Sequence, residues 1–571
     1  MEVQTHQGSA RCFLGVFSLW LRGRKRKHRH ILAITGTPFM IWALSEGSTA
    51  QLHISERVYS PRKKRDTMKY ITTAVIVLLT TTCFVGCGGG STVQPPPPPS
   101  ISISPSSVNV APGGSQQFGA SMSGNSNPTV TWKVNGVPGG DSKDGTISSI
   151  GLYVAPLSAA NVVITAVLQS NANISGDASV NVLAPHRIAV RSTATLAEFY
   201  DVTTGDSVVP RGNNYIRLAT QNLPGGGTTF YHSTFNVGTY DASVTETALA
   251  SMQSSRYNTV RVWLNGCCEN GIGDPAGGLS TAYLANVTDF LQRAKNHGIF
   301  VIFSTDWVPS LGGYTNSYAD CTQFGGYNTL NLCAGGVQAN TNFFHDLAQG
   351  LVNQGAELDA VLAYELRNEY FYEADQSPLN WTSGTATTAD GETYDMSDPA
   401  AQQQMMDNGL VYFTDQIRAA ILAVDPTALV TVGFFPPHGP NPFLLGDPRI
   451  VTVYPAMANS TADFVDLHGY PVVWNLSMAQ LVQNFGFMGY QQQKPVMMGE
   501  YGGFTSAYTL ASDAAGGLED WQIQSCAYNF DGWLLWTWDT NEQSELWNAL
   551  SQGGVINQAL APAMRPNPCS Y

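Results

Sequence analysis

Ala363-Tyr364-Glu365-Leu366-Arg367-Asn368-Glu369 decides the fold. The stretch reads as a buried strand that stops on an Asn-Glu pair. A second apolar run, Lys494-Pro495-Val496-Met497-Met498-Gly499-Glu500, also ends on a carboxylate. Short, near-continuous apolar strands suit a parallel sheet covered on both faces. In a (β/α)8 barrel the reactive groups sit at the C-terminal strand ends. Two glutamates at two such tips predict a carboxylate pair across a barrel mouth.

Working outward, residues 186–571 divide into eight strand–helix units. The pattern predicts strands at 214–218, 259–264, 299–304, 360–366, 429–433, 464–468, 495–498 and 532–536. Helices are expected near 242–256, 281–296, 338–353, 398–424, 477–486 and 510–526, from apolar residues at helical spacing and from Gly and Pro stops. Phe199 to Val202 and Asp206 to Pro210 predict a hairpin closing the barrel floor. Taken in order, the strand tips carry Arg261, Asp306-Trp307, Asn368-Glu369, His468 with Tyr470, Glu500, and Trp536 with Trp538. Polar and aromatic groups thus gather at one end, while the strand interiors stay apolar.

Composition fits this picture. Of 571 residues, 43% are hydrophobic and only 12% charged, which suits a large core with uncharged loops and not a disordered chain. The net charge of −14 is uneven, because basic residues crowd into the first 87 and leave the body strongly acidic. Such a body repels nucleic acid and favours a neutral or basic partner. The basic runs Leu21–His30 and Pro61–Arg65 have no nucleic-acid-binding fold beside them. From Met68 the order is a basic start, an apolar run from Tyr70 to Leu79, then a segment ending Val85-Gly86-Cys87. That is the layout of a secretory signal, and its end resembles a bacterial lipobox. Residues 1–67 are then an over-extended start, 68–87 a lipoprotein signal peptide and Cys87 the lipidated residue anchoring the protein to a membrane. Phe84 departs from the usual Leu or Val. A single membrane span is the alternative, but the run falls short of the roughly 20 residues a span needs. Either reading puts the body outside the cytoplasm: at a bacterial cell surface or in the periplasm as a lipoprotein, or secreted.

Residues 88–99 form a tether, flexible in its Gly part and stiff in its five prolines. Residues 100–184 alternate with a period of two in short runs between turn signals, which predicts a β-sandwich. Thr129-Val130-Thr131-Trp132-Lys133-Val134 is the central strand by pattern. The segment resembles bacterial Ig-like domains, which also place a Trp-x-Val strand after a Pro-Gly-Gly turn. That fold implies no function by itself, so carbohydrate binding and a spacer role both stand.

The large domain is α/β, a TIM barrel by pattern. Over about 195–545 it resembles clan A glycoside hydrolases, most closely glycoside hydrolase family 5, the cellulases and mannanases. The motifs are Arg261, Asn368-Glu369, His468-Gly469-Tyr470, Glu500 and Trp536, in that order and at barrel spacing. The resemblance implies a retaining β-glycosidase that cleaves a β-linked polysaccharide. It makes Glu369 the acid/base and Glu500 the nucleophile. Asn368 would then bind the sugar 2-hydroxyl. Arg261 and Tyr470 would orient Glu500, His468 would line the same subsite, and Trp536 would lie under the reacting sugar. Glu-Leu-x-Asn-Glu and the Asp466–Pro471 stretch lean toward the β-mannan branch over β-glucan. The chain departs from the family in its long 370–399 loop and in lacking a His near Asp306. A non-catalytic carbohydrate-binding protein on the same scaffold is the alternative reading, with loss of one glutamate as its signature.

Glu365 lies on the same face as Glu369 and is expected to pair with an arginine. Trp307 fits a sugar platform or plain packing, and Tyr370-Phe371-Tyr372 is expected as cleft wall. The acidic group Asp390, Glu392, Asp395 and Asp398 matches no calcium loop. No metal or other cofactor is expected, and the protein is expected to be a monomer. Cys267, Cys268, Cys321, Cys333, Cys526 and Cys569 suggest disulfides outside the cytoplasm, with Cys321–Cys333 stapling the loop after strand three.

Overall fold

The computed structural model describes residues 99–434, 449–453, 456–471, 477–486 and 493–570. The expected signal segment, the Cys87 lipidation site and most of the tether lie outside the described residues. Among the described residues no helix is long and apolar enough to cross a membrane.

The barrel is one parallel sheet. In chain order its strands are Arg211–Asn214, Thr259–Trp263, Phe300–Ser304, Val361–Glu365, Val430–Thr431 with Gly433–Phe434, Val465–His468, Val496–Tyr501 and Trp533–Leu535. The fifth position is split. Its first piece pairs with strand four and its second with strand six. Strands two, four and seven are buried at every residue, as a sheet covered on both faces requires. Long helices Ala242–Ser254, Thr281–Asn296, Ala334–Asn353, Pro399–Leu422 and Ala511–Cys526 cover the outside. Asp398, read from sequence as one of an acidic group, is the N-cap of the fourth of these and accepts from the Ala400 amide.

Two sequence expectations are corrected. Strand one lies at Arg211–Asn214 and not at 214–218, and all four of its residues are buried. The alternating Ile216 and Leu218 resemble a strand, yet Leu218 opens a separate hairpin, Leu218–Asn222 with Thr228–His232. Gly212 permits the real strand, because a Cβ there would meet the Thr259 carbonyl oxygen at 1.6 Å. At the floor, Ala197–Asp201 pairs with Ile188–Ser192. The expected partner, 206–210, contributes only a bridge from Ser207 to Tyr200. Ile188 and Phe199 pack with Ile302, Leu362, Phe464, Met497 and Leu534, plugging the barrel from below.

Residues 100–184 form a separate β-rich body. A five-stranded sheet, a four-stranded sheet and the pair Ile101–Ser104 with Gly119–Met122 enclose their own core around Phe118, Trp132, Tyr153 and Ile164. This body meets the end of the barrel away from the strand tips. Asn109 Nδ2 donates to the Asn353 carbonyl, and Ala111 and Leu183 join the barrel's own core.

His186 locks the junction. Its ring is fully buried, with Nε2 at 2.7 Å from Asp425 Oδ2 and Nδ1 at 3.0 Å from the Val361 carbonyl. Burial alone would lower its pKa, but the Asp425 charge and hydrogen bond, aided by Val361, carry it above the ordinary value. A raised folded-state value means the pair stabilises fully below the unfolded value and loses its effect as pH rises through the raised one. His186→Ala strands the Asp425 carboxylate in the interior and is expected to cost about 3–5 kcal/mol in urea unfolding at pH 6. The deficit should shrink toward pH 9.

Candidate active site

Arg261 is the hub of the barrel mouth. Strand two carries it inward, fully buried, and its donors are saturated. Nε and Nη2 hold Glu365 through two bonds of 2.7 and 2.6 Å. Nη1 donates to Glu500 Oε1 at 2.6 Å and to Asn214 at 2.8 Å. Nη2 also reaches Ser304 at 3.0 Å and Asn368 Oδ1 at 2.6 Å. Burial opposes the guanidinium charge, but Glu365 and Glu500 carry its pKa upward. A planar fork with five N–H groups can serve so many acceptors, whereas a lysine cannot. Glu365 is thus the arginine partner expected from sequence. Gly433 leaves room for it, since a Cβ there would lie 2.6 Å from Glu365 Oε1.

Glu369 and Glu500 come together above this hub. One oxygen of each, with a ring nitrogen of His468, lie within 4.8 Å of one another. Their surroundings differ. Glu500 is 3% exposed and accepts from Arg261 and, at 2.7 Å, from the Tyr470 hydroxyl. Burial raises its pKa, while His468, Arg261 and Tyr470 pull it back and Glu369 adds to the rise. Among the described residues, Glu369 has one side-chain contact, 3.3 Å to His468 Nδ1. Burial pushes its carboxyl up to about 7, against Arg449 and Arg261. Glu369 therefore keeps a proton near neutrality, and Glu500 holds the charge-stabilising donors. The Glu369 backbone is also strained, with φ at +43° on a non-glycine residue. Such strain costs on the order of 1–3 kcal/mol and gathers at functional sites.

His468 is buried, and its Nδ1 also lies 3.4 Å from Glu500 Oε2. Burial pushes its pKa down to about 4 despite the Glu500 charge, so the ring is neutral, with Nδ1 facing both carboxyls. Trp536 closes the other side. It meets Trp263 edge-on at 5.8 Å and donates its Nε1–H to Gln543 at 2.9 Å. All seven residues read from sequence as site residues thus meet at one mouth: Arg261, Asn368, Glu369, His468, Tyr470, Glu500 and Trp536. Beneath them Asp466 is buried against Gly499, whose amide donates to it at 2.7 Å. Burial and the Glu365 charge hold its carboxyl well above the usual range.

Other residues sit elsewhere than expected. Tyr370 and Tyr372 are fully buried, hydroxyl to hydroxyl at 3.0 Å, and are core and not cleft wall. Trp307 stacks on Tyr231 at 5.4 Å. Asn214, Ser304, Asp306 and Tyr231 belong to the site and are absent from the sequence-derived set. The hairpin that delivers Tyr231 has a legible signal, the turn Leu223-Pro224-Gly225-Gly226-Gly227 between two alternating runs. The disulfides are Cys321–Cys333, Cys526–Cys569 and the adjacent pair Cys267–Cys268, which lies in the loop after strand two.

Comparison with known proteins gives one family. The model described as Cellulase (glycosyl hydrolase family 5) matches residues 220–542. Similar solved structures include a β-mannanase from the blue mussel Mytilus edulis, 17% identical, covering 67% of this chain and 98% of that one, with a TM-score of 0.41. An endocellulase from Pyrococcus horikoshii in a cellotetraose complex is 16% identical and covers 66% of this chain and 99% of its own, at 0.43. An exo-β-1,4-mannosidase from Opitutaceae bacterium strain TAV5 is 15% identical, covering 66% and 62%, at 0.41. No curated protein matches the sequence.

Proposed function

Because the chain belongs to glycosyl hydrolase family 5, we propose that it hydrolyses a β-linked polysaccharide, β-mannan or β-glucan, with retention of configuration. The observation that carries this reading is the approach of Glu369 and Glu500 oxygens to within 4.8 Å. Retaining enzymes hold their carboxyls about 5–5.5 Å apart, while inverting ones need room for a water, about 6.5–9.5 Å.

The steps follow from the unequal environments. Glu500 attacks the anomeric carbon as the glycosidic C–O bond breaks, and the Glu369 proton goes to the leaving oxygen. A glycosyl ester on Glu500 results. Glu369, now a carboxylate, takes a proton from water as that water attacks the anomeric carbon, and the bond from that carbon to the Glu500 oxygen breaks and frees Glu500. Arg261 and Tyr470 hold Glu500 for in-line attack, and Asn368 binds the sugar 2-hydroxyl. Trp536 offers a face to the sugar C–H groups. The body at 100–184 is an Ig-like module that spaces the barrel from its anchor. Three disulfides among the described residues support an oxidising, extracytoplasmic setting, in keeping with a lipid anchor at Cys87.

Reducing-sugar release from soluble β-mannan and β-glucan by residues 88–571 tests the reading. Release from one polymer that vanishes in Glu500→Gln supports it and names the sugar. Polymer binding without release would favour the carbohydrate-binding alternative.

A further inference from the structure

Asp306 is a carboxylate at the mouth to which the reaction above gives no part. It lies at the tip of strand three, and both of its oxygens are taken. Oδ1 accepts from Asn368 Nδ2 at 3.2 Å, and Oδ2 accepts a short hydrogen bond from the Tyr231 hydroxyl. Asn368 is held from its other end, where Oδ1 accepts from Arg261 Nη2 at 2.6 Å. An arginine offers only donors, and a carboxylate with both oxygens accepting offers only acceptors. The two neighbours together therefore fix which way the Asn368 amide faces. The Asn368 main-chain amide is tied as well, donating to the Thr305 carbonyl at 2.8 Å.

Tyr231 does not belong to the barrel. It comes from the hairpin Leu218–Asn222 with Thr228–His232. That hairpin is seated by three amide side chains. Gln221 Oε1 accepts from Asn236 at 2.6 Å and from Asn265 at 2.7 Å, and Gln221 Nε2 donates to the Tyr231 and His232 carbonyls. The Tyr231 ring lies flat on Trp307. An unbroken chain of contacts thus runs from the hairpin through Tyr231, Asp306 and Asn368 to Arg261 and Glu500.

We propose that Asp306 is a positioning residue that sets the orientation of the Asn368 amide, and that Tyr231 makes this setting depend on the docked hairpin. The proposal rests on Asn368 contacting the sugar, as in the functional reading above. It assigns the hairpin a part in assembling the sugar subsite. Burial pushes the Asp306 carboxyl up to about 6, with Tyr231, Arg367 and Asn368 pulling it down and Glu369 raising it. Tyr327 is the further titratable group that feels its charge. A proton on Asp306 would convert one acceptor into a donor and release one of the two bonds.

The test is a double-substitution cycle with Asp306→Asn, Tyr231→Phe and Asn368→Ala, assayed on whichever of soluble β-mannan and β-glucan the wild type degrades. Misplacing a reacting group by about 1 Å can cost 100-fold. Asp306→Asn should lower kcat by about 10- to 100-fold with little change in KM. Tyr231→Phe should lower it in the same sense by less. In the Asn368→Ala background both should have almost no further effect, since residues acting through a common partner are non-additive. Additive losses, or a loss confined to KM, would overturn the proposal. If the wild type degrades neither polymer, the functional reading fails separately. The same cycle read in chemical unfolding then decides the contact, coupled midpoints sustaining it and additive ones removing it.

Discussion

Glu500→Gln is expected to lower kcat by about 10⁴-fold or more while leaving the fold intact. The variant removes the proposed nucleophile, and loss of a covalent nucleophile is among the largest single-residue effects known. The glutamine keeps the size of the side chain. Its carbonyl can accept from Arg261, and its amide can donate to the Tyr470 oxygen, so neither partner is stranded. Its melting temperature should stay within a few degrees of the wild type. Glu369→Gln should behave differently. Losing a general acid costs about 10²–10⁴-fold, and the cost should shrink on aryl glycosides whose leaving group needs no proton. The wild type should lose activity as pH rises through about 7, because the active form carries the Glu369 proton. That alkaline limb should vanish in Glu369→Gln. Initial rates on a polymer and an aryl glycoside between pH 4 and 9 separate these outcomes. A wild-type limb that persists unchanged in Glu369→Gln would assign the proton to another group.

Arg261→Met should combine the largest stability loss with loss of activity. The arginine makes six hydrogen bonds to five residues and is the counter-cation of two buried carboxylates. Breaking a buried ion pair by removing one partner costs about 3–5 kcal/mol, and here two acids lose theirs. The deficit should narrow as pH falls and the carboxyls around the void take up protons. Arg261→Lys should rescue little, since a point charge with three donors cannot hold Glu365 from two sides and still reach Glu500. Urea unfolding of both variants at pH 5 and 7 checks this. An unfolding free energy within 1 kcal/mol of the wild type, itself less than a tenfold change in the equilibrium, would show the mouth to be held by other contacts.

Glu369 and Glu500 are legible in the sequence because each ends an apolar run, which is where a parallel barrel exposes its strand tips. Arg261, His468, Tyr470 and Trp536 were legible for the same reason. Asn214 and Ser304 were not, since a short polar residue at a strand end looks like any loop residue until an arginine arrives from another strand. The pattern puts strand one too late in the chain because Arg211, Asn213 and Asn214 are polar yet buried. Arg211 is satisfied by the Leu560 and Arg565 carbonyls and Asn214 by Arg261 and the Gly499 carbonyl, partners that come from distant parts of the chain, while the Asn213 side chain has no hydrogen-bond partner among the described residues. The floor hairpin shows a related limit. Both Ile188–Ser192 and Asp206–Pro210 are plausible partners for Ala197–Asp201, and alternation alone does not rank them. Asp306 is legible as a strand tip, but its link to Asn368 depends on a hairpin whose docking no local pattern encodes.

The β-rich body grips the barrel at the end opposite the mouth, through Asn109, Ala111 and Leu183. A carrier coupled to that body would therefore stand behind the cleft and not beside it. On a bead coupled through that body, the barrel mouth with Glu369 and Glu500 would face outward, toward solution.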